Sequence, residues 1–194
     1  MIILGYCFAA SLLPVWALLQ PRGYLGGFVL YMALAVGVFG VFFGGHPIVQ
    51  PAFKGWTAPG ASGALFPFLF VTIACGACSG FHGLVCSGTT SKQIARESHC
   101  RPVGYGAMLL EGFVALIALS TVMIVSDAAI AGKGPGLVYA QGLGLYMAAI
   151  VGEENVVFAT TFAAMAFSTF VFDTLDVSTR LGRYTIQELF GWTS

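Results

Sequence analysis

Apolar residues in this chain neither alternate nor line one face of a helix; they come in unbroken runs separated by short segments rich in proline, glycine or charge. Five runs stand out: Ile2–Leu19, Tyr24–Phe43, Leu65–Val85, Gly104–Ser126 and Asn155–Leu175. Each has about the 20 residues that a helix needs to cross a hydrocarbon core. Residues 46–64, which hold Pro47, Pro51 and Pro59, are expected to form a loop, and residues 87–103 another, with a short amphipathic helix at Ser91–Ser98. Residues 127–154 begin with a breaker, Gly132-Lys133-Gly134-Pro135-Gly136, before the apolar stretch Leu137–Val151. That length and context suit an outer loop or a re-entrant or interfacial helix. Residues 177–194 read as a basic helix. The predicted fold is an all-α integral membrane protein, a single transmembrane domain over 1–194 with about five spans.

Composition agrees with lipid as the solvent. Of 194 residues, 58% are hydrophobic and 8% charged, where a soluble domain carries about 25% charged residues. The formal net charge is zero, which argues against nucleic acid as a partner. Charge placement says more. Arg22, then Lys92, Arg96 and Arg101, then Arg180 and Arg183 fall on one side if five spans alternate, leaving Lys54 and Lys133 opposite. The positive-inside rule then puts the N-terminus out and the C-terminus in. A sixth crossing at Leu137–Val151 would move Arg180 and Arg183 outside. The first run lacks the basic start and small-residue cleavage site of a signal peptide, and the chain is expected to be part of a longer parent.

The chemistry lies where polar groups interrupt the runs. Phe66–Lys92 starts as an ordinary span and then fills with Gly76, Gly80, Gly83 and Gly88 among Ser79, His82, Ser87, Thr89 and Thr90. Glycines weaken a helix and admit close approach, and irregular backbone at membrane depth is tolerated only against protein or a water-filled cavity. The segment therefore reads as a broken helix on a solute path, with a plain interhelical hydrogen bond as the rival role for His82. Glu111 lies within the fourth run, and intramembrane acids are functional by default; a structural hydrogen bond is the alternative. Asp173 and Asp176 share a helix face, and Arg180 is placed to pair with Asp176 four residues on. Cys75 and Cys78 have redox or metal spacing but sit inside an apolar run, where cysteine behaves as a small apolar residue. No metal or cofactor is expected. Ser87–Lys92 lacks the leading glycine spacing and strand of a phosphate loop. It reads instead as a helix junction whose hydroxyls cap and whose backbone donors meet an anion. No nucleophile constellation suggests an enzyme.

Four motifs in order, PFLFVTIACGACSGFH, SGTTSKQIARES, RPVGYGAMLLE and FDTLDVSTRLGRYTIQEL, together with LPVWALLQPRGYLGGFVL upstream, resemble the carbon starvation protein A family of bacterial inner-membrane transporters. The resemblance implies part of an inverted-repeat transporter fold. It also implies uptake of peptides, and pyruvate in some members, coupled to protons under nutrient limitation. Carried over by motif, Thr72, Gly76, Ser79, Gly80, His82, Ser87, Gly88, Thr89 and Thr90 would contact solute. Glu111 and Asp176 would carry the proton, with Asp176 and Arg180 as an ion pair. Val177, Asp173 and Gly23 depart from the expected pattern, the last at the expense of an ion pair at Arg22. Family members are longer than this chain, so the rival reading is a truncated or split, non-transporting subunit that packs with the missing spans of a second chain or oligomer.

Overall fold

The computed structural model describes residues 2–14, 16–57 and 64–192; residues 58–63 of the expected 46–64 loop lie outside them. Among the described residues all regular structure is helical: α1 (Ile2–Leu12), α2 (Leu19–Phe43), α3 (Leu65–Ala77), α4 (Gly80–Val85), α5 (Ala107–Met123), α6 (Asp127–Ile130), α7 (Pro135–Val151) and α8 (Val156–Leu189). Four helical segments of the described residues are long and apolar enough to cross a membrane: Gln20–Phe43, Leu65–Thr90, Glu97–Met123 and Glu153–Leu189. The first of the five expected runs is not among them. Its helix stops after 11 residues at Leu12, because Pro14 has no N–H to donate to the carbonyl of Ala10.

The chain divides into two compact units, residues 1–50 with 104–194, and residues 51–103. In the first unit the order of contacts gives the helix directions. Gly26 of α2 meets Asp173 and Thr169 of α8, and α2 carries Ala33 into the same core cluster as Ala163. Gly136 of α7 meets Phe167, and Gly144 meets Thr160. Both α2 and α7 are thus antiparallel to α8. Thr121 of α5 lies against Gly142, and Ile124 shares a cavity wall with Leu145, so α5 points the same way as α7. Residues 124–134 therefore run back along the bundle before α7 begins.

Small residues make this packing possible. At Gly37, Gly40, Gly136, Gly142 and Gly144 a Cβ would collide with Ile117, Tyr146, Phe167, Thr121 and Thr160 respectively. Close backbone approach at small residues is the usual basis of helix association in lipid, where apolar surface alone gives little preference between protein and acyl chain. The core cluster Ala33, Ala140, Leu143, Tyr146 and Ala163 sits where α2, α7 and α8 converge. Although α7 is only 17 residues long, it is the most enclosed helix, with Val138, Ala140, Leu143, Tyr146 and Ala148 buried.

In the second unit the glycine-rich run breaks as expected. Helix α3 ends at Cys78, whose backbone (φ −145°, ψ 60°) leaves the helical region. Ser79 restarts the chain as the N-cap of α4, its hydroxyl accepting from the N–H of His82 at 3.4 Å. Cys86–Thr90 then forms a wide π-helical turn, a form that recurs at functional sites. The amphipathic helix expected at Ser91–Ser98 is replaced by turns and a short 3₁₀ turn at Glu97–His99. Helix α3 buries none of its residues within the chain.

Candidate functional site

The densest polar chemistry in the first unit is a cluster of opposite charges between α1, α2 and α8. Helix periodicity sets Asp173 and Asp176 on one face of α8, and Gly26 lets α2 come close enough for Arg22 to reach both. Arg22 Nε lies 3.4 Å from Asp173 Oδ1, and Nη1 pairs with Asp176 Oδ2. The same Nη1 donates to the hydroxyl of Tyr6 at 3.0 Å, and that hydroxyl faces Asp176 Oδ2 at 3.5 Å. The guanidinium is further sandwiched by aromatic faces, 5.6 Å from the Tyr6 ring centroid and 5.8 Å from that of Phe172. One guanidinium thus serves two carboxylates, in a setting where Asp176 is only 2% exposed.

Arg180 is also 2% exposed, but it does not take the role the sequence suggested. Its Nη2 donates to the carbonyls of Ala10, at 3.0 Å, and Leu13. These are the acceptors at the end of α1, and the one on Ala10 is free because Pro14 cannot fill it. A cation at a helix C-terminus also meets the negative end of its dipole. The expected Asp176–Arg180 pair is therefore replaced by Asp176–Arg22, with Arg180 acting as a cap for α1. Asp176 Oδ1 and Arg180 Nε are buried without a hydrogen-bond partner among the described residues. The cluster thus joins one guanidinium to two carboxylates, with Arg180 beside it on α8 turned to the end of α1.

The other sequence candidates fall elsewhere. Glu111 is on an exposed face of α5, and the contact of Ile117 with Gly37 sets it well along the bundle from Arg22. Thr72, Gly76, Ser79, Gly80, His82, Ser87, Gly88, Thr89 and Thr90 all belong to the second unit. There the hydroxyl of Thr72 donates to Phe68 O at 2.8 Å and that of Ser87 to Leu84 O at 3.1 Å. Gly76 and Gly80 have open space where a Cβ would stand. Thr89 is buried, its hydroxyl without a partner among the described residues, and Thr90 lines a cavity of about 300 Å³ with Gln93, Ile94 and His99. Sequence reasoning missed Tyr6 and undervalued Arg22. The available signals were the proline two residues past α1 and an arginine opening an otherwise apolar span. Among the described residues no three His, Cys, Asp or Glu side chains come together as a metal site.

Comparison with known proteins adds a separate line of evidence. The family profile described as "Carbon starvation protein CstA" matches residues 1–133 and 123–194. A protein of Mycobacterium tuberculosis (strain ATCC 25618 / H37Rv) named "Peptide transporter CstA" is 36% identical over 250 residues, covering 98% of this chain and 32% of that protein. The "Peptide transporter CstA" of Escherichia coli (strain K12) is 38% identical over 192 residues, covering 95% of this chain and 26% of that protein. The "Pyruvate/proton symporter BtsT" of the same organism is 44% identical over 164 residues, covering 79% and 22% respectively. This chain spans about a third or less of the length of these relatives. No solved structure matches it.

Proposed function

The chain belongs to the carbon starvation protein CstA family, and on that footing we propose that it forms part of a proton-coupled carrier of small nutrients, peptides or pyruvate, in a bacterial inner membrane. The observation that carries the reading is the cluster of Arg22, Asp173 and Tyr6 around the buried carboxylate of Asp176. A secondary carrier needs an ionisable group inside the bundle whose charge state is tied to the arrangement of its helices. Asp176 has that character: protonation would release Arg22 to Asp173 alone and loosen the joint between α1, α2 and α8. Glu111 is the second candidate for the proton. Solute would meet the broken span, with the Ser79 cap, the glycines at 76 and 80, His82, Thr72 and the Ser87–Thr90 turn along its path. The relatives named as a peptide transporter and a pyruvate/proton symporter support both solute classes.

The proposed topology has the N-terminus out and the C-terminus in, with α7 re-entrant. The common direction of α5 and α7 supports the re-entrant reading of α7, since the end of α5 and the start of α8 then lie on one side of the bundle; the placement of the termini rests on the basic residues alone. The fraction of its relatives that this chain spans, together with the uncovered α3, favours activity in an assembly that supplies further helices, from a second chain or an oligomer.

The test is uptake of labelled alanylalanine and labelled pyruvate into proteoliposomes, with and without an inward proton gradient. Gradient-driven uptake of either is expected, and Asp176→Asn should abolish the gradient dependence at unchanged protein abundance. Uptake in the Asn variant that still follows the gradient would remove Asp176 from the coupling role.

A further inference from the structure

Away from the charge cluster, at the end of the bundle where α5 stops and α8 starts, lies an open cavity of about 390 Å³. Its apolar wall includes Ile124, Leu145 and Val156, and its polar side chains are Ser126, Gln141 and Thr160. This size is within the range of small-molecule sites, which are mostly apolar with a few convergent polar groups. Gln141 is the informative residue. It stands on α7, the most enclosed helix, yet its Oε1 is buried without a donor among the described residues. A buried acceptor left unpaired is costly and calls for an explanation. Hydroxyls elsewhere in the bundle bond back to their own helix, as Ser120 does to Ile117 O and Thr161 to Val157 O. The Thr160 hydroxyl instead lies against Gly144 of α7.

We propose that this cavity is a subsite for the peptide group of a small solute, read by the side-chain amide of Gln141 with Ser126 and Thr160 beside it. A primary amide presents an acceptor next to two donors, which complements a peptide N–H and C=O whichever way round it is drawn. The lining has no cation, so a carboxylate placed there would be desolvated without a partner. In the chain, Asp127 follows the lining residue Ser126, and Glu153 and Glu154 come shortly before the lining residue Val156. The cavity is open, so charged ends of a peptide stay hydrated while its middle is bound. The subsite thus selects peptides over keto acids, and it deepens the carrier reading, on which it rests.

The experiment is equilibrium binding of labelled alanylalanine to the full chain in lipid nanodiscs, with pyruvate as competitor. The wild-type chain should bind the dipeptide saturably and pyruvate should not displace it. Gln141→Leu should weaken binding about tenfold, and Thr160→Val severalfold, at unchanged helix content. The threonine variant carries the test if the glutamine variant fails to fold. No saturable binding to folded protein, equal binding by both variants, or displacement by pyruvate would each overturn the subsite. Parallel uptake measurements separate the two ideas. Gln141-dependent binding without proton-driven uptake removes the carrier reading and leaves the subsite, whereas proton-driven uptake indifferent to Gln141 does the reverse.

Discussion

At the scale of single residues the decisive group is Arg22, whose guanidinium holds two carboxylates and a phenol from two other helices. Removing one partner of a buried ion pair leaves the other charge uncompensated and costs roughly 3–5 kcal/mol, while replacing both is often near neutral. Arg22→Met should therefore lower the thermal midpoint in detergent substantially, and adding Asp176→Asn should recover at least half of the loss. An equal or greater loss in the double variant would show that Arg22 acts by packing on Tyr6 and Phe172. Arg180 has a different role and should respond differently. Its acceptors are backbone carbonyls, so no acid-to-amide change on α8 should rescue Arg180→Met. Pro14→Ala would restore a donor for Ala10 O and compete with the Arg180 cap, giving a longer α1 and a measurable gain in helical circular dichroism.

At the scale of elements the bundle depends on glycines that meet other helices rather than on glycines that bend the chain. A Cβ at Gly142 would run into the backbone and side chain of Thr121, whereas at Gly112 it would meet nothing within 4 Å. Overpacking costs about 1–3 kcal/mol, and alanine is favoured over glycine in a helix by roughly 0.5–1 kcal/mol. Gly142→Ala should thus destabilise and Gly112→Ala leave stability unchanged or raise it, both read by thermal unfolding in the same detergent. If the two behave alike, α5 and α7 are not in contact at Thr121. This is also the scale at which the sequence was partly opaque. Run length alone located α2, the glycine-rich break near Ser79 and the start of α8, because hydrophobicity and glycine content act locally. It did not reveal that α8 continues through Asp173, Asp176 and Arg180 to Leu189. Those charges look like the end of a span until their partners on α1 and α2 are known. The same limit hid the cavity, since Gln141 reads as an isolated polar residue until Thr160 and Ser126 are beside it.

At the scale of the whole molecule, the two units differ in how their apolar surface is covered. The first unit buries its small-residue faces against itself, while in the second Phe66, Phe68, Phe70, Val71 and Ile73 are all exposed on α3. An apolar helix in lipid need not be covered, but α3 ends in a break at Cys78–Ser79, and the amide and carbonyl groups released there require protein or water. The further length of the relatives, of which this chain spans about a third or less, is the proposed source of that protein cover. The chain's own cysteines report on it: Cys75, Cys78, Cys86 and Cys100 are exposed, and Cys7 is buried. In detergent, N-ethylmaleimide should modify those four in the isolated chain and reach Cys7 only after denaturation, as read by mass spectrometry of peptides. Within a complete family member carrying this segment, Cys75 and Cys78 should react at least about tenfold more slowly, while Cys100, in the loop before α5, should keep its rate. Equal reactivity of Cys75 and Cys78 in both settings would mean that the additional spans leave the break open. The broken helix would then face water directly, and its serine cap and glycines would be the mouth of a solute path rather than a buried joint between helices.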